Sequence, residues 1–327
     1  MSTRFLNVPA STGFGGVIEE YLWNWENQEL GVIYETLGQG SPLLLLPAFS
    51  TVSSRLEMGE LAKLLAPHFQ VVAVDWPGFG ESDRANLDYK PALYHQFLAD
   101  FVRFAFKMPI SVVAAGHAAG YVLQLAFRQP DVFSRIVLAA PTWRGPLPTM
   151  GASQQIAGMV RGLVRSPLLG QAIYQLNTSP SFLSFMYGRH VFTDATKLTP
   201  SFIKQKWQTT QIPGARFGSA AFVTGNIDPV RDQSEFLTLV RSLPAGRSPS
   251  LPAGRSPSPT AGRSPSLSIP LKVIIGESSP PKSRLEMDAL AALPNVSSVV
   301  IPGSLGLHEE YPDVLAEAIL PFLKGLS

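Results

Sequence analysis

The side chains best suited to move a proton in this chain are a few histidines and carboxylates near its end. His308 stands in His308-Glu309-Glu310-Tyr311-Pro312, just before an apolar helical repeat. A histidine there can act as a general base if a carboxylate orients it. Glu277, in Gly276-Glu277-Ser278-Ser279-Pro280-Pro281, is the nearby carboxylate for that role, or else a solvated loop acid. His117 lies in the glycine-flanked Gly116-His117-Ala118-Ala119-Gly120, where it either packs or faces a pocket. Ser50, Thr51, Ser53 and Ser54 form a hydroxyl-rich loop able to contact a ligand, but no base identifies one of them as a nucleophile. The histidines at 68, 95, 117, 190 and 308 show no metal-ligand spacing. With no cysteine, thiolate metal sites, disulfides and cysteine nucleophiles are excluded together. Gly78-x-Gly80 lacks the third glycine and the helix of a dinucleotide fingerprint. Neither a metal nor a cofactor is expected.

The elements that must carry these residues alternate. Strand-like runs at 21–25, 30–36 and 43–46 come first, with Gly38-Gln39-Gly40 as the turn between the last two. Helical spacing over 58–65, 94–106 and 121–127 then alternates with short apolar runs at 71–74, 111–115 and 136–139. Continuous apolar strands between helices predict a mostly parallel sheet covered on both faces. Residues 145–240 read as helical and interrupt the alternation, like a cap with a lead-in helix. It resumes with strands at 271–275 and 296–301, a helix over 284–293 and a last helix from Pro312. The expected domains are a first part of the core (20–144), the cap (145–240) and a second part of the core (267–327).

Between cap and core lies an eight-residue tandem repeat, Leu-Pro-Ala-Gly-Arg-Ser-Pro-Ser, starting at Leu243 and Leu251, with a variant copy from Pro259. Proline, glycine and too little apolar mass predict disorder over 243–266. It is either a linear interaction motif carrying Arg247, Arg255 and Arg263 or a neutral duplication on a surface loop, and the second is the expectation, since loop closure costs only ~0.6 kcal/mol per doubling of length. The chain of 327 residues is 45% hydrophobic and 15% charged, which excludes wholesale disorder. Its formal charge of +2 does not suggest a nucleic-acid partner. No apolar run reaches the roughly 18–20 residues of a membrane span. Met1-Ser2-Thr3-Arg4 lacks a signal-peptide layout, so a cytoplasmic protein is the default expectation.

Leu43 to Pro47 ends a strand at a loop, Asp75-Trp-Pro-Gly78-Phe-Gly80-Glu-Ser82 follows the next strand, and Gly116 to Gly120 forms a strand-turn-helix. With His308 to Pro312 before the final helix, the order resembles an α/β-hydrolase-fold protein over about residues 20–325. That resemblance implies a nucleophile elbow of the form Gly-x-Ser-x-Gly, and Ala118 then occupies the nucleophile position. It implies an acid where Ser279 stands. A gap-free alignment through His308 puts the catalytic histidine at Leu305, whereas a shorter loop would put it at His308. It also implies oxyanion donors in the amides of Phe49 and Ala119, and a structural bracing role for Asp75. The expected triad is therefore degenerate at Ala118, Ser279 and Leu305.

The expected function is that of a pseudoenzyme, a family member without the serine nucleophile that binds a small apolar or amphipathic molecule. The alternatives are a non-covalent enzyme of lyase or cofactor-free oxygenase type and an esterase-like hydrolase with a displaced site, both resting on His308. Residues 132–193 contain no Asp or Glu but carry Arg135, Arg144, Arg161, Arg165 and Arg189 among Met and Phe residues. Such a cap suits an amphipathic anionic ligand, or peripheral contact with an anionic membrane. The bland account is that its apolar residues pack inward and its arginines are solvated.

Overall fold

In a computed structural model of the chain, residues 3–5, 13–243 and 269–326 are described. The expected disorder of the tandem repeat concerns residues that lie, after Leu243, outside this set. The first strands are β1 (Thr3–Phe5), β2 (Val17–Trp25), β3 (Gln28–Leu37) and β4 (Ser41–Leu46). Trp25 pairs with Gln28, and the two loop residues Glu26 and Asn27 both have positive φ. That is the primed-turn geometry which matches strand twist in a two-residue hairpin. Gly38 and Gly40 also have positive φ, as the turn after β3 requires.

A single 3-10 turn, Arg55–Met58, leads into α1 (Gly59–Leu65). Then follow β5 (Phe69–Val74), α2 (Pro91–Ala105), β6 (Ile110–Ala115), α3 (Ala118–Arg128) and β7 (Phe133–Ala139). The helical block comprises α4 (Pro146–Thr149), α5 (Gln154–Arg165), α6 (Leu169–Asn177), α7 (Pro180–Met186), α8 (Pro200–Thr210), α9 (Ala215–Val223) and α10 (Gln233–Arg241). The chain closes with β8 (Leu271–Gly276), α11 (Pro281–Ala291), β9 (Val296–Ile301), the short α12 (Leu307–Glu310) and α13 (Pro312–Leu323).

The strands form one sheet in the order β1-β2-β3-β5-β4-β6-β7-β8-β9. It is antiparallel from β1 through β3 to β5 and parallel from β5 to β9. The fold is therefore the largely parallel, helix-covered sheet with helical insertions expected from the alternation. Every residue of β6 is buried, which explains its unbroken apolar run, because a central parallel strand has no solvent face. In open sheets of this kind ligands bind beyond the carboxyl ends of the strands. That edge holds the loops after β4, β6, β7, β8 and β9.

Helix α2 rests on α3 with His95 against Tyr121, ring centroids 4.8 Å apart. Burial, aided by Arg128, pushes His95 down from 6.5 to about 4. The unfolded chain then binds the extra proton between those values, so this contribution to stability is complete above 6.5 and is lost as pH falls toward 4. A His95→Gln variant is expected to lose less stability than the wild type between pH 6.5 and 4 in parallel urea titrations. Equal slopes would contradict this.

Candidate functional site

The sharp turn at the sheet's carboxyl edge is made by Gly116, directly after β6, with φ +52°. Ala118, expected at this turn, is instead the first residue of α3 and fully buried. The strained position thus falls two residues before the expected one. The reason is the second glycine: a β-carbon on Gly120 would lie 2.4 Å from Pro229, so this glycine serves helix packing rather than the turn. A β-carbon on Gly116 would lie 3.0 Å from the Ala48 methyl and 3.6 Å from Thr142 Oγ1. Space beside the turn is thus already taken by Ala48.

The oxyanion expectation also needs correction. The Ala119 amide donates to Gly116 O at 3.2 Å. Among the described residues, the amides of Phe49 and His117 have no hydrogen-bond acceptor. Phe49 is buried, with its ring stacked on Trp76 at 4.7 Å and edge-on to Tyr94 at 4.8 Å, and Trp76 Nε1 donates to Pro47 O at 2.9 Å. The next stretch of that loop is held by buried charge. Arg55 bonds Asp75 at 2.6 Å, Glu81 at 2.7 Å and Glu35 at 3.4 Å. Burial alone would pull the guanidinium down, but Asp75 and Glu81 more than offset this and hold it above its ordinary range. Asp75 also accepts the Arg55 amide at 2.6 Å and the Glu81 amide at 2.9 Å, so it braces two loops at once. Of the loop hydroxyls, Ser53 and Ser54 are buried and Ser50 Oγ accepts the Val52 amide.

The loops after β8 and β9 are fastened together. The Ser278 amide donates to Gly303 O at 3.0 Å and the Glu277 amide to Ile301 O at 2.9 Å. Ser279 is buried with its hydroxyl unbonded. Leu305 is half-buried against the main core, and the following Gly306 amide donates to Val191 O of the cap. Glu277 is exposed, and its side chain reaches no histidine among the described residues.

His308 is buried and turned away from Glu277. Its Nε2 lies 3.6 Å from Glu57 Oε2, on the 3-10 turn before α1. Lys206, from α8, reaches Glu309 at 2.5 Å and Glu57 at 3.7 Å. Burial opposes the Lys206 charge, but Glu309 and Glu57 raise it above its usual value. Burial likewise raises the Glu309 carboxyl, with Lys206 acting against it. Glu310 accepts the amides of Thr193 and Asp194, each at 2.6 Å. The His-Glu-Glu segment is thus a clasp between core and cap. The pairing of His308 with Glu277 as base and orienting acid is not what the structure holds.

His117 has partners that the sequence does not reveal. Its Nδ1 lies 2.9 Å from Thr142 Oγ1 and its Nε2 3.5 Å from Asp228 Oδ1. Asp228 also accepts the Gly145 amide at 2.8 Å. Beside Asp228 opens a cavity of about 640 Å³ lined by Trp143, Arg144, Pro148, Ala157 and Val230. Trp143 is buried with its Nε1 unbonded, and the Arg144 guanidinium lies 4.2 Å over its ring. Among the described residues no cluster of His, Asp and Glu could hold a metal ion, and no helix is long and apolar enough to cross a membrane.

Residues 43–318 match the model of the alpha/beta hydrolase family. The chain belongs to the alpha/beta hydrolase family. Among solved structures it is similar to a malate-bound thermophilic esterase from Thermogutta terrifontis, with TM-score 0.67 and 19% identity over 94% of this chain and 98% of that one. A bromoperoxidase from Bacillus anthracis gives 0.66 and 18% over 93% and 99%. A haloalkane dehalogenase from Agrobacterium tumefaciens gives 0.66 and 16% over 98% and 100%. At these identities the likeness is one of fold. Uncharacterized proteins of Mycobacterium tuberculosis and Mycobacterium bovis are 28% identical over 107 residues, and the match spans 31% of their length.

Proposed function

We propose that this member of the alpha/beta hydrolase family has given up covalent hydrolysis at the turn after β6 and binds a small amphipathic molecule in the cap–core cavity. The observation that carries the first half is Gly116. It alone combines the position directly after β6 with positive φ, the place where a nucleophile elbow puts its reactive side chain. In this reading the family's triad positions fall on Gly116, Ser279 and Leu305, none of which can act as nucleophile, acid or base in its assigned place. The Ala48 methyl fills space that an attacking side chain would need. The free amides of Phe49 and His117 remain as the donors of an oxyanion hole, which side-chain loss need not remove.

The second half rests on the cavity's composition. Trp143, Pro148, Ala157 and Val230 supply an apolar wall. Of the charged lining, Arg231 and Glu235 pair with each other and Asp228 faces His117, which leaves Arg144 as the cation. That pairing suits a short apolar tail with an anionic head. Calorimetric titration with decanoate is expected to show saturable binding, weakened about tenfold, ~1.4 kcal/mol, by Arg144→Glu. Absence of binding, or binding indifferent to that substitution, would contradict the assignment.

A second reading is favoured by the short contact between His117 and Thr142. In the tautomer with the proton on Nε2, which faces Asp228 at 3.5 Å without a hydrogen bond, Nδ1 accepts the Thr142 hydroxyl proton, the arrangement of a base-activated nucleophile. In that case hydrolysis would run from Thr142 rather than from the elbow.

A further inference from the structure

Most exposed apolar surface of this molecule is gathered on one part of the cap. Of the sixteen large hydrophobic side chains exposed among the described residues, nine lie between positions 150 and 185. Helices α5 and α6 pack on each other and on α9, yet each presents an apolar stripe outward. On α5 the stripe is Ile156, Met159 and Leu163, at the i, i+3, i+7 spacing of one helix face. Ala157 is the only residue of that helix that is buried. On α6 the stripe is Leu169, Ala172 and Leu176, and Leu168, 87% exposed, joins the two at the tip. A monomer rarely leaves so much contiguous apolar surface without a use.

Charge decides what could cover it. Between residues 132 and 227 Asp194 is the only acid, against nine Lys and Arg residues. Lys206 is neutralised in the clasp, and Arg165 is bound to Leu87 O and Asn86. Among the described residues Arg161, half-buried on α5, and Arg189, exposed after α7, make no bond or ion pair. A second copy would bring the same excess of positive charge, which opposes self-association. An anionic lipid surface offers the opposite charge together with an apolar layer that accepts Leu and Met side chains.

We propose that the α5–α6 face of the cap docks in the plane of an anionic bilayer, with Leu168 and Met159 entering the headgroup–acyl boundary. The test is co-sedimentation of the full chain with phosphatidylcholine vesicles and with vesicles that also contain phosphatidylglycerol. The wild type is expected to pellet with the anionic vesicles, less so at high salt, and to stay in solution with phosphatidylcholine alone. Met159→Glu with Leu168→Glu should lower anionic-vesicle binding at least about tenfold, because two exposed apolar anchors are lost. Both side chains are already in solvent, so the thermal midpoint should not move, and a circular dichroism melt separates lost docking from lost folding. The proposal is overturned if the wild type ignores anionic vesicles, or if the double variant binds them equally well. It is also overturned if sedimentation shows a dimer that the double variant abolishes, which would assign the face to a second copy.

Discussion

Arg55→Ala is expected to remove about 3–5 kcal/mol of folding stability, read from chemical denaturation at neutral pH. Arg55, Asp75 and Glu35 have fully buried side chains, and Arg55 is the cation that both carboxylates share. Removing it leaves two carboxylates in a poorly solvating interior, a larger loss than that of any one contact. The effect should be localised as well as large. Asp75 loses an ion-pair partner while still accepting two amides, so the loop between β4 and α1 should gain hydrogen exchange before the sheet does. A loss below about 1 kcal/mol, the range of exposed pairs, would mean that this cluster is not the brace described here.

Lys206→Met should cost a comparable amount, about 3–5 kcal/mol, but with a distinctive pH dependence. The methionine keeps the apolar stem and deletes the charge that Glu57 and Glu309 face. Burial already raises the Glu309 carboxyl while Lys206 acts against it, so without that cation its folded-state pKa rises further. The Glu309 carboxylate then binds its proton more tightly in the folded state, so the deficit is smallest at acid pH and grows as pH rises toward the raised pKa. The cap should loosen first, because α8 is joined to α12 through this residue. Urea titrations at several pH values would check both size and slope. A deficit independent of pH would contradict the account.

The succession of strands and helices was readable because the central parallel strands are short apolar runs and the covering helices keep their spacing, although the edge strand β9 carries Ser297 and Ser298. The sheet order was less so: β5 inserts between β3 and β4 although the last two are consecutive. At the turn after β6, two glycines four residues apart imitate the spacing of an elbow. The expected strand already ended at Ala115, which makes Gly116 the turn residue, whereas Gly120 is glycine because Pro229 presses on it. His308 drew attention as a base because histidine often is one. Glu57, which it faces, and Lys206, which pairs with the adjacent Glu309, come from distant parts of the chain, and only packing unites them. The same holds for His117 with Asp228. On α5 the helical period is plain, but periodicity says which residues share a face, not whether anything covers it. The bland expectation of an inward-packed cap thus fails for Met159 and Leu168.

The proposed loss of nucleophilic chemistry is tested most directly by intact mass spectrometry after exposure to a fluorophosphonate ester. The wild type should keep its unmodified mass under conditions that fully label a control serine esterase. One phosphonyl group added per chain would contradict the account. Mapping of that group to Thr142, with its loss in Thr142→Ala and in His117→Gln, would establish the displaced site in its place.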